Sequence, residues 1–528
     1  MGIFSNQSYI TEEIQQNSFT PSLQFRRYYK PILKTSNENY TVEYVQAMIN
    51  DFETSDNRLY MNVAEQYYHS RNDILDQKRF VIGRSSDNTP ATIESHILSN
   101  NHLVHNFLRK LTHQKISYLL SKPFSFQPNS QDIEACSEMF KELNHYYNLP
   151  FYNTLKIACR DAIVDGIGWI YVYYDDNGTL QFKHIPAYEV IPEWVDDDHK
   201  DLKSVIRKYR VKEFNGTGFN MVTYVDHYTN RGVTKYRYGG FESSSSSLTL
   251  ISENEPYFNI KVNENEIGAT WTDIPFIPFK YDSDEYSLLR RIKSLVDDYD
   301  KKTSDIANNI DDIPNSVTVI QNYDGASKEE FVHNKNQYRT IFVQGDGGAS
   351  TLETPLNISE IDKHLSRLRE DIYSFGQGVN TTDKDIRDTS GVALRFLYGD
   401  LDMDCGDWAE ELEWSIYLIN WFMLKDILLR TGNDYSNLNY SVVFNVSMIL
   451  NQSEIINNIV QSKNIISDKT LLTNHPWVLD AEEELKMISE DTERDLIQLQ
   501  AEEDIQNMYV SEEKASTEEV TDEESVGQ

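Results

Sequence analysis

One group of acidic residues, in the run DLDMDCGDWAEE, has a spacing that could bind a metal ion. Four of its carboxylates occupy positions one, three, five and twelve of a calcium-binding loop: Asp400, Asp402, Asp404 and Glu411. Such a loop needs glycine at position six for its sharp turn, but Cys405 stands there and glycine comes one residue late. Because the surrounding periodicity favours a continuous helix, we predict no calcium site in this run.

The chain also lacks the familiar catalytic motifs. The glycine turn VQGDGGAS has no phosphate-binding lysine, and neither HExxH nor GxSxG occurs. Three histidines, His102, His105 and His113, fall on one predicted helix without an acidic or cysteine partner at ligand spacing. We therefore identify no catalytic residue and no metal site, and we expect no cofactor.

The net charge of the chain limits what it can bind. Its 528 residues carry a net charge of −35, and the segment from Ala481 to Gln528 alone has 17 acidic and 3 basic residues. Stable binding to DNA phosphates requires clustered Lys and Arg, so we exclude that mode of binding. An acidic surface could still face DNA without retaining it.

The sequence favours a soluble, intracellular protein without membrane contact. Its three cysteines show no CxxC spacing, which indicates a reducing compartment. The start, MGIFSNQSYI, has no signal-peptide pattern, and Asn6 replaces the Ser or Thr of a myristoylation site. The longest apolar stretch, Trp414 to Leu424, is too short to cross a bilayer.

Two long amphipathic helices are predicted in the middle of the chain. In the first, from Glu285 to Ile313, apolar residues recur every three or four positions and include Ile292, Leu295, Tyr299, Ile306 and Ile310. In the second, from Ser359 to Phe375, the stripe includes Leu365, Leu368 and Ile372. A small α/β insert separates them. Because one neighbour cannot easily cover both stripes, we expect several copies of the chain to pack side by side.

The flanking regions predict further elements. Helices are expected over Asn100–Pro123 and Asn153–Gly168, and alternating β-formers predict a hairpin from Trp169 to His184 around Asn177-Gly178. After the polar loop GVNTTDKDIRDTSG, a long helix is predicted from Val392 to about Arg430. The acidic end of the chain is predicted to be disordered.

This order of parts resembles that of the portal proteins of tailed bacteriophages. The run IPFIPFKYDSDEYSLLRRIKSLVDDYDKKTSDIANNIDDI is similar to the approach to the stem in that family. The run TSGVALRFLYGDLDMDC is similar to the opening of its long wing helix. The layout is similar over roughly Asn100 to Met448, and it resembles the type found in long-tailed phages of Gram-positive hosts.

The resemblance implies a mixed α+β, predominantly helical portal fold that assembles into a ring, usually of twelve subunits, around a central channel. It assigns the regions as follows: 1–168 N-terminal helical wing, 169–284 β-rich wing, 285–313 stem helix 1, 314–357 α/β clip, 358–378 stem helix 2, 379–391 tunnel loop, 392–450 long wing helix and strand, 451–500 helical crown, and 501–528 acidic disordered tail.

A portal protein would lie at one capsid vertex of the virion after assembly in the host cytoplasm, and the genome would be packaged and ejected through its channel. The implied partners are sister copies, the terminase large subunit, a head-completion adaptor protein, the major capsid and scaffolding proteins, and double-stranded DNA bound without sequence specificity. In this family the terminase hydrolyses ATP, so the resemblance implies that the chain is not an enzyme.

The resemblance also indicates two groups of residues that could face DNA. In the tunnel loop, Thr381, Thr382, Lys384 and Arg387 could contact phosphates transiently, although an ordinary solvated loop is the alternative. In stem helix 1, some of four acids could line the channel and lower the friction on DNA, or they could solvate the outer face of the stem: Asp297, Asp298, Asp305 and Asp312.

Two other classes of function stay open at this point. A metal-dependent nuclease or other hydrolase could use the clustered carboxylates, and it would cleave DNA with magnesium without forming rings. An acidic binding protein could sequester basic partners through Ala481–Gln528, and it would lose its function without that segment.

Overall fold

The computed structural model describes most of the chain: residues 40–84, 90–94, 98–129, 133–214, 216–238, 248–262, 265–312, 317–321, 348–352, 358–381, 396–446, 452–478 and most of 481–500. The α-helices in these ranges are α1 (Val42–Thr54), α2 (Asp56–Tyr68), α3 (Phe107–Leu120), α4 (Ile133–Asn144), α5 (Leu149–Asp165), α6 (Leu288–Asp312), α7 (Ile358–Phe375), α8 (Gly399–Thr431), α9 (Gln452–Gln461) and α10 (Asp468–Thr473).

The strands of the described ranges form antiparallel pairs and small sheets. In chain order they are β1 (Phe80–Arg84), β2 (Pro90–Glu94), β3 (Ser125–Pro128), β4 (Ile167–Tyr174), β5 (Leu180–Ile185), β6 (Val190–Trp194), β7 (Leu202–Phe214), β8 (Phe219–Thr229), β9 (Gly232–Tyr238), β10 (Leu248–Glu255), β11 (Phe258–Val262), β12 (Asn265–Ala269), β13 (Phe276–Lys280), β14 (Val317–Gln321), β15 (Gly348–Leu352) and β16 (Tyr440–Val443).

The chain divides into two compact units. The first comprises Met1–Asp383 and Tyr398–Ser447, and it contains α1 to α8 and the strands. The second comprises Lys384–Leu397 and Met448–Gln528, and its described part contains α9, α10 and further helix over residues 483–494. In this second unit the Ser467 side chain caps α10 by accepting a hydrogen bond from the Thr470 amide.

Helix α5 is the centre of the core of the first unit. Its residues Leu155, Ala158 and Ala162 are fully buried, and the helix packs on the three-stranded sheet β13-β4-β5. The prediction placed its start at Asn153, but the helix begins at Leu149, because the Asn148 side chain caps it by accepting from the Phe151 amide. Gly166, in the left-handed region at φ 91°, ends it.

The predicted hairpin is confirmed as strands β4 and β5, with Trp169 paired to Ile185 and the turn at Asn177-Gly178. The strands expected after it form a five-stranded antiparallel sheet in the order β10-β9-β8-β7-β6. Helix α1 covers one face of this sheet, where Val45 and Ile49 join a buried apolar cluster. The expected β-rich region is therefore present.

Helix α8 connects several parts of the first unit. It contacts β13, α3 and α4, and it buries Trp408, Ile416 and Met423. After it, β16 pairs with β3, which returns the chain to the segment that follows α3. None of the helices in the described ranges combines the length and apolar character that a membrane span requires. The three cysteines, Cys136, Cys159 and Cys405, are buried.

The prediction of a helix from Asn100 to Pro123 is wrong at its start. Residues 101–106 are not helical, and α3 begins at Phe107 with Asn106 as its cap. Two of the three histidines that the sequence places on one helix, His102 and His105, therefore precede the helix. This non-helical segment lies along α6.

Candidate functional site

Helices α6 and α7 lie antiparallel and pack against each other. The start of α6 meets the end of α7, where Arg291 donates to the side chain of Gln377, just after α7, at 2.6 Å. Further along α6, the Tyr299 hydroxyl accepts from Arg369 at 2.6 Å, and Asp298 Oδ2 lies 3.0 Å from His364 Nε2. The two helices thus form one antiparallel pair within the chain.

The first half of α6 buries the apolar residues that the stripe predicts. Ile292 and Tyr299 are buried, together with Leu368 and Ile372 on α7, while Leu295 and Leu365 are partly buried against the same core. Val296 is also buried, although the predicted stripe omits it. The ring of Tyr299 meets that of Phe107 edge to face, with centroids 5.2 Å apart.

In the second half of α6 the side chains buried within the chain are polar. Three of them, together with the partly exposed Asp312, accept hydrogen bonds from alternate backbone amides of the non-helical segment before α3: Asp312 from Ser99 at 2.9 Å, Asn308 from Asn101 at 2.5 Å, Ser304 from Leu103 at 2.9 Å, and Asp300 from His105 at 2.9 Å. We call these four acceptors the side-chain ladder.

The spacing of the ladder follows from backbone geometry. Four residues of an α-helix rise about 6.0 Å, and two residues of an extended segment span about 6.6 Å. Every fourth helical side chain therefore meets every second amide of a neighbouring extended segment. Asp300, fully buried, anchors this arrangement because it also accepts from Asn72 Nδ2 at 2.6 Å and lies 2.8 Å from His105 Nδ1.

The apolar residues of this half of α6 are much less covered. Ile310 is 59% exposed, and Ile306 is only partly buried. Polar side chains thus face the rest of the chain while apolar ones face outward, which reverses the usual arrangement of an amphipathic helix. We call this side of the helix the outward face of α6.

The four acids of α6 expected to line a channel have different surroundings. Asp297 bonds to the Tyr67 hydroxyl and forms an ion pair with Lys293 at 2.7 Å, and burial raises its pKa. Asp312 pairs with Arg79 at 2.6 Å, and hydrogen bonds led by that of the Ser99 amide lower its pKa. Both carboxylates bond within one chain.

The other two acids of this group, Asp298 and Asp305, have fewer partners in the described part of the chain. Asp298 is partly exposed and contacts His364, itself an exposed side chain of α7. Asp305 is partly exposed on the same helix.

The residues that follow α7 form a tightly held backbone turn. An added Cβ on Gly378 would lie 2.2 Å from Leu111 Cδ2, so a side chain at this position would have to displace the buried Leu111. The Gln114 side chain donates to the Val379 carbonyl at 2.7 Å and accepts from the Val379 amide at 3.2 Å. Lys115 Nζ donates to the Gln377 carbonyl at 3.0 Å. We call Gly376–Val379 the loop root, since the predicted tunnel loop 379–391 begins there.

Asp404 connects the loop root to α8. It accepts from Lys115 at 2.5 Å, from the Tyr281 hydroxyl at 2.6 Å and from Arg291 at 2.9 Å. Burial lowers the pKa of Lys115, against the attraction of Asp404, and raises the pKa of Tyr281. Such a pair is costly to break because either partner would be left charged and buried. Sequence reasoning missed this role of Asp404, since its partners are distant in the chain.

The calcium-loop spacing does not form a loop. Asp400, Asp402, Asp404 and Glu411 all lie on the continuous helix α8, as the periodicity predicts. Asp402 accepts from the Tyr118 hydroxyl at 2.5 Å, and Asp404 holds the contacts given above.

Some of the predicted site lies outside the described residues. Thr381 is exposed, but Thr382, Lys384 and Arg387 are not described. In the predicted clip, β14 and β15 pair with each other from Val317 with Leu352 to Gln321 with Gly348. The helix and second strand expected between them fall outside the described residues.

The profile of the family described as "Phage portal protein, SPP1 Gp6-like" matches residues 53–497, and the chain belongs to this family of phage portal proteins. The chain is 26% identical over 444 residues to a portal protein of Clostridium phage phiCD119, covering 81% of this chain and 91% of that protein. It is 27% identical over 368 residues to the portal protein of Bacillus phage SPP1, covering 70% of each. The function is therefore that of a bacteriophage portal protein, and both relatives come from phages of Gram-positive hosts, as the resemblance implies.

Proposed function

We propose that copies of this chain form a closed ring, of about twelve, at one capsid vertex, and that the genome passes through the ring during packaging and ejection. The observation that carries this proposal is the reversed burial of α6, where Ser304 and Asn308 are buried while Ile310 is 59% exposed. A neighbouring copy that packs on the outward face would bury these apolar side chains.

The charge of the chain supports a conducting role. Duplex DNA carries about one negative charge per 1.7 Å, so a basic lining would hold it, whereas an acidic lining leaves it free to slide. The chain carries a net charge of −35. We propose that Asp305 and Asp298 contribute to the lining, while Asp297 and Asp312 stabilise the attachment of α6 to its own chain.

The loop after the loop root is the proposed contact with DNA. Thr381, Thr382, Lys384 and Arg387 would touch phosphates transiently from a base that Gln114 and Lys115 hold in place. Two cations within a short polar loop give weak, reversible contacts rather than stable binding, which suits a moving duplex.

The remaining assignments follow the family. The regions 1–284 and 392–450 would be the wing, 285–313 and 358–378 the stem, 314–357 the clip and 451–500 the crown. The clip would bind the terminase large subunit and then a head-completion adaptor, and the wing and crown would meet scaffolding and major capsid proteins. Assembly in the host cytoplasm and the absence of enzymatic activity belong to the same proposal.

Electron microscopy of the purified chain tests the proposal. We expect rings with a central hole, and we expect Ile310→Glu to weaken their assembly, because a charge would then enter the apolar contact. The control is Asn309→Glu, one position along the helix. Particles without a hole, together with magnesium-dependent cleavage of DNA, would favour the nuclease alternative, which no comparison supports. If removal of 481–528 abolishes function and the chain forms no rings, the acidic binding protein is favoured.

A further inference from the structure

Three carboxylates converge between α2 and α5, away from the loop root: Glu65, Asp161 and Asp165. One oxygen of each lies within 4.8 Å of the others. Asp161 and Asp165 are one turn apart on α5, and Glu65 comes from α2. The sequence gives no spacing signal for this cluster because its two helices are far apart along the chain, so the expectation of no metal site did not consider it.

Asp165 is the unusual member of the cluster. The residue is 5% exposed, and neither of its carboxylate oxygens has a hydrogen-bond partner among the described residues. Burial, reinforced by the neighbouring charges of Asp161 and Glu65, raises its pKa. A buried carboxylate without a partner is costly, and native proteins neutralise such groups with a cation or a proton.

The basic side chains nearby leave Asp165 without a direct partner. Arg160 contacts Asp161 and lies 3.4 Å from Glu65, and His184 Nε2 lies 2.6 Å from Asp161 Oδ2. Arg58 and Arg160 both attract Asp165 electrostatically, but the structure gives neither an ion pair with it. His69 Nε2 also lies 3.2 Å from Glu65 Oε2. The basic side chains therefore contact Glu65 and Asp161, while both oxygens of Asp165 stay without a hydrogen-bond partner among the described residues.

We propose that Glu65, Asp161 and Asp165 bind one hard divalent cation, and that Ca²⁺ is the best fit. Three carboxylate oxygens are the donors that such ions prefer. Three oxygens spread evenly around one Ca²⁺ lie up to about 4.5 Å apart, and around Mg²⁺ up to about 3.6 Å apart, so carboxylates within 4.8 Å of one another suit the larger ion better. His184 would orient Asp161 from outside, and Glu65, with 22% of its side chain exposed, would admit the ion and its remaining water ligands.

The bound ion would tie α2 to α5 inside the core of each chain. Its effect would be on the stability of the single chain, so the proposal holds whether or not the chain forms a ring. A cation at this position would also stabilise the packing of Tyr67 and Tyr68, which belong to α2 and are buried in the same core.

Titration calorimetry of the EDTA-treated full chain with CaCl₂ tests the proposal. We expect one Ca²⁺ site per chain that binds more tightly than the weak, scattered sites of an acidic protein. The melting temperature of the chain should rise with calcium concentration and reach a plateau. Asp165→Asn and Glu65→Gln should each weaken this site about tenfold or more, because each removes one charged ligand. Asp407→Asn, which changes an exposed carboxylate of α8, should bind as the unchanged chain does.

Two further results test the proposed calcium site. Without calcium, Asp165→Asn should melt at the same temperature as the unchanged chain or higher, since it keeps the shape of the side chain and replaces a buried carboxyl that has no hydrogen-bond partner among the described residues. The proposal is overturned if calcium neither releases heat at one site per chain nor raises the melting temperature. It is equally overturned if Asp165→Asn and Glu65→Gln bind calcium as the control does, because binding would then be adventitious only.

Discussion

Replacing Asn308 by alanine should loosen the extended segment that the side-chain ladder holds against α6. The Asn308 side chain is 4% exposed and accepts from the Asn101 amide at 2.5 Å. Without it, this amide would lose its acceptor in a partly buried position, which costs about 2 kcal/mol. Since about 1.4 kcal/mol corresponds to a factor of ten, local opening of the segment should become about thirtyfold more frequent.

Hydrogen–deuterium exchange measured by mass spectrometry reads this opening directly. Peptides that cover residues 98–106 should exchange about thirtyfold faster in Asn308→Ala, while peptides from α5 should be unchanged. The matched control is Asn309→Ala, because Asn309 neighbours Asn308 on the same helix but is not part of the ladder. If both variants exchange at the unchanged rate in residues 98–106, the ladder does not hold the segment and the reasoning is refuted.

Three further changes test other parts of the molecule. Asp404→Asn should destabilise the chain by about 3–5 kcal/mol in urea unfolding by leaving Lys115 buried and charged, whereas Asp400→Asn on the exposed face of α8 should not. Burial lowers the pKa of His227 to about 4 from an ordinary value of 6.5, so the unfolded chain binds the proton first as pH falls. The unchanged chain should therefore lose about 3 kcal/mol between pH 7 and pH 4 relative to His227→Gln, and an identical pH profile would contradict this. A double change of Lys384 and Arg387 to alanine should leave rings intact but slow DNA packaging several-fold, and an unaffected rate would identify an ordinary surface loop.

Local signals in the sequence predict much of the fold. The hairpin at Asn177-Gly178 has alternating β-formers around a turn dipeptide, and both features act over a few residues. The paired helices α6 and α7 have apolar stripes long enough to identify them. The predicted starts of α3 and α5 were less accurate, because their caps, Asn106 and Asn148, are defined by contacts that only the folded backbone makes.

The polar part of the site could not be predicted in the same way. The apolar residues of α6 recur with a period near 3.5, whereas a straight helix turns every 3.6 residues, so the apolar stripe drifts by about 20° per heptad from the face that the core covers. Asp300, Ser304 and Asn308 take the place of apolar residues on that face. In a sequence these residues look like solvent-exposed positions, and their partners lie about two hundred residues away.

The mass of the native assembly tests the central claim most directly. We predict that the purified chain forms a particle whose mass is an integral multiple of 61.5 kDa, about twelvefold, and that Ile310→Glu shifts the distribution towards single chains while Asn309→Glu does not. A stable particle of 61.5 kDa at high protein concentration, with the outward face of α6 left in water, would contradict it.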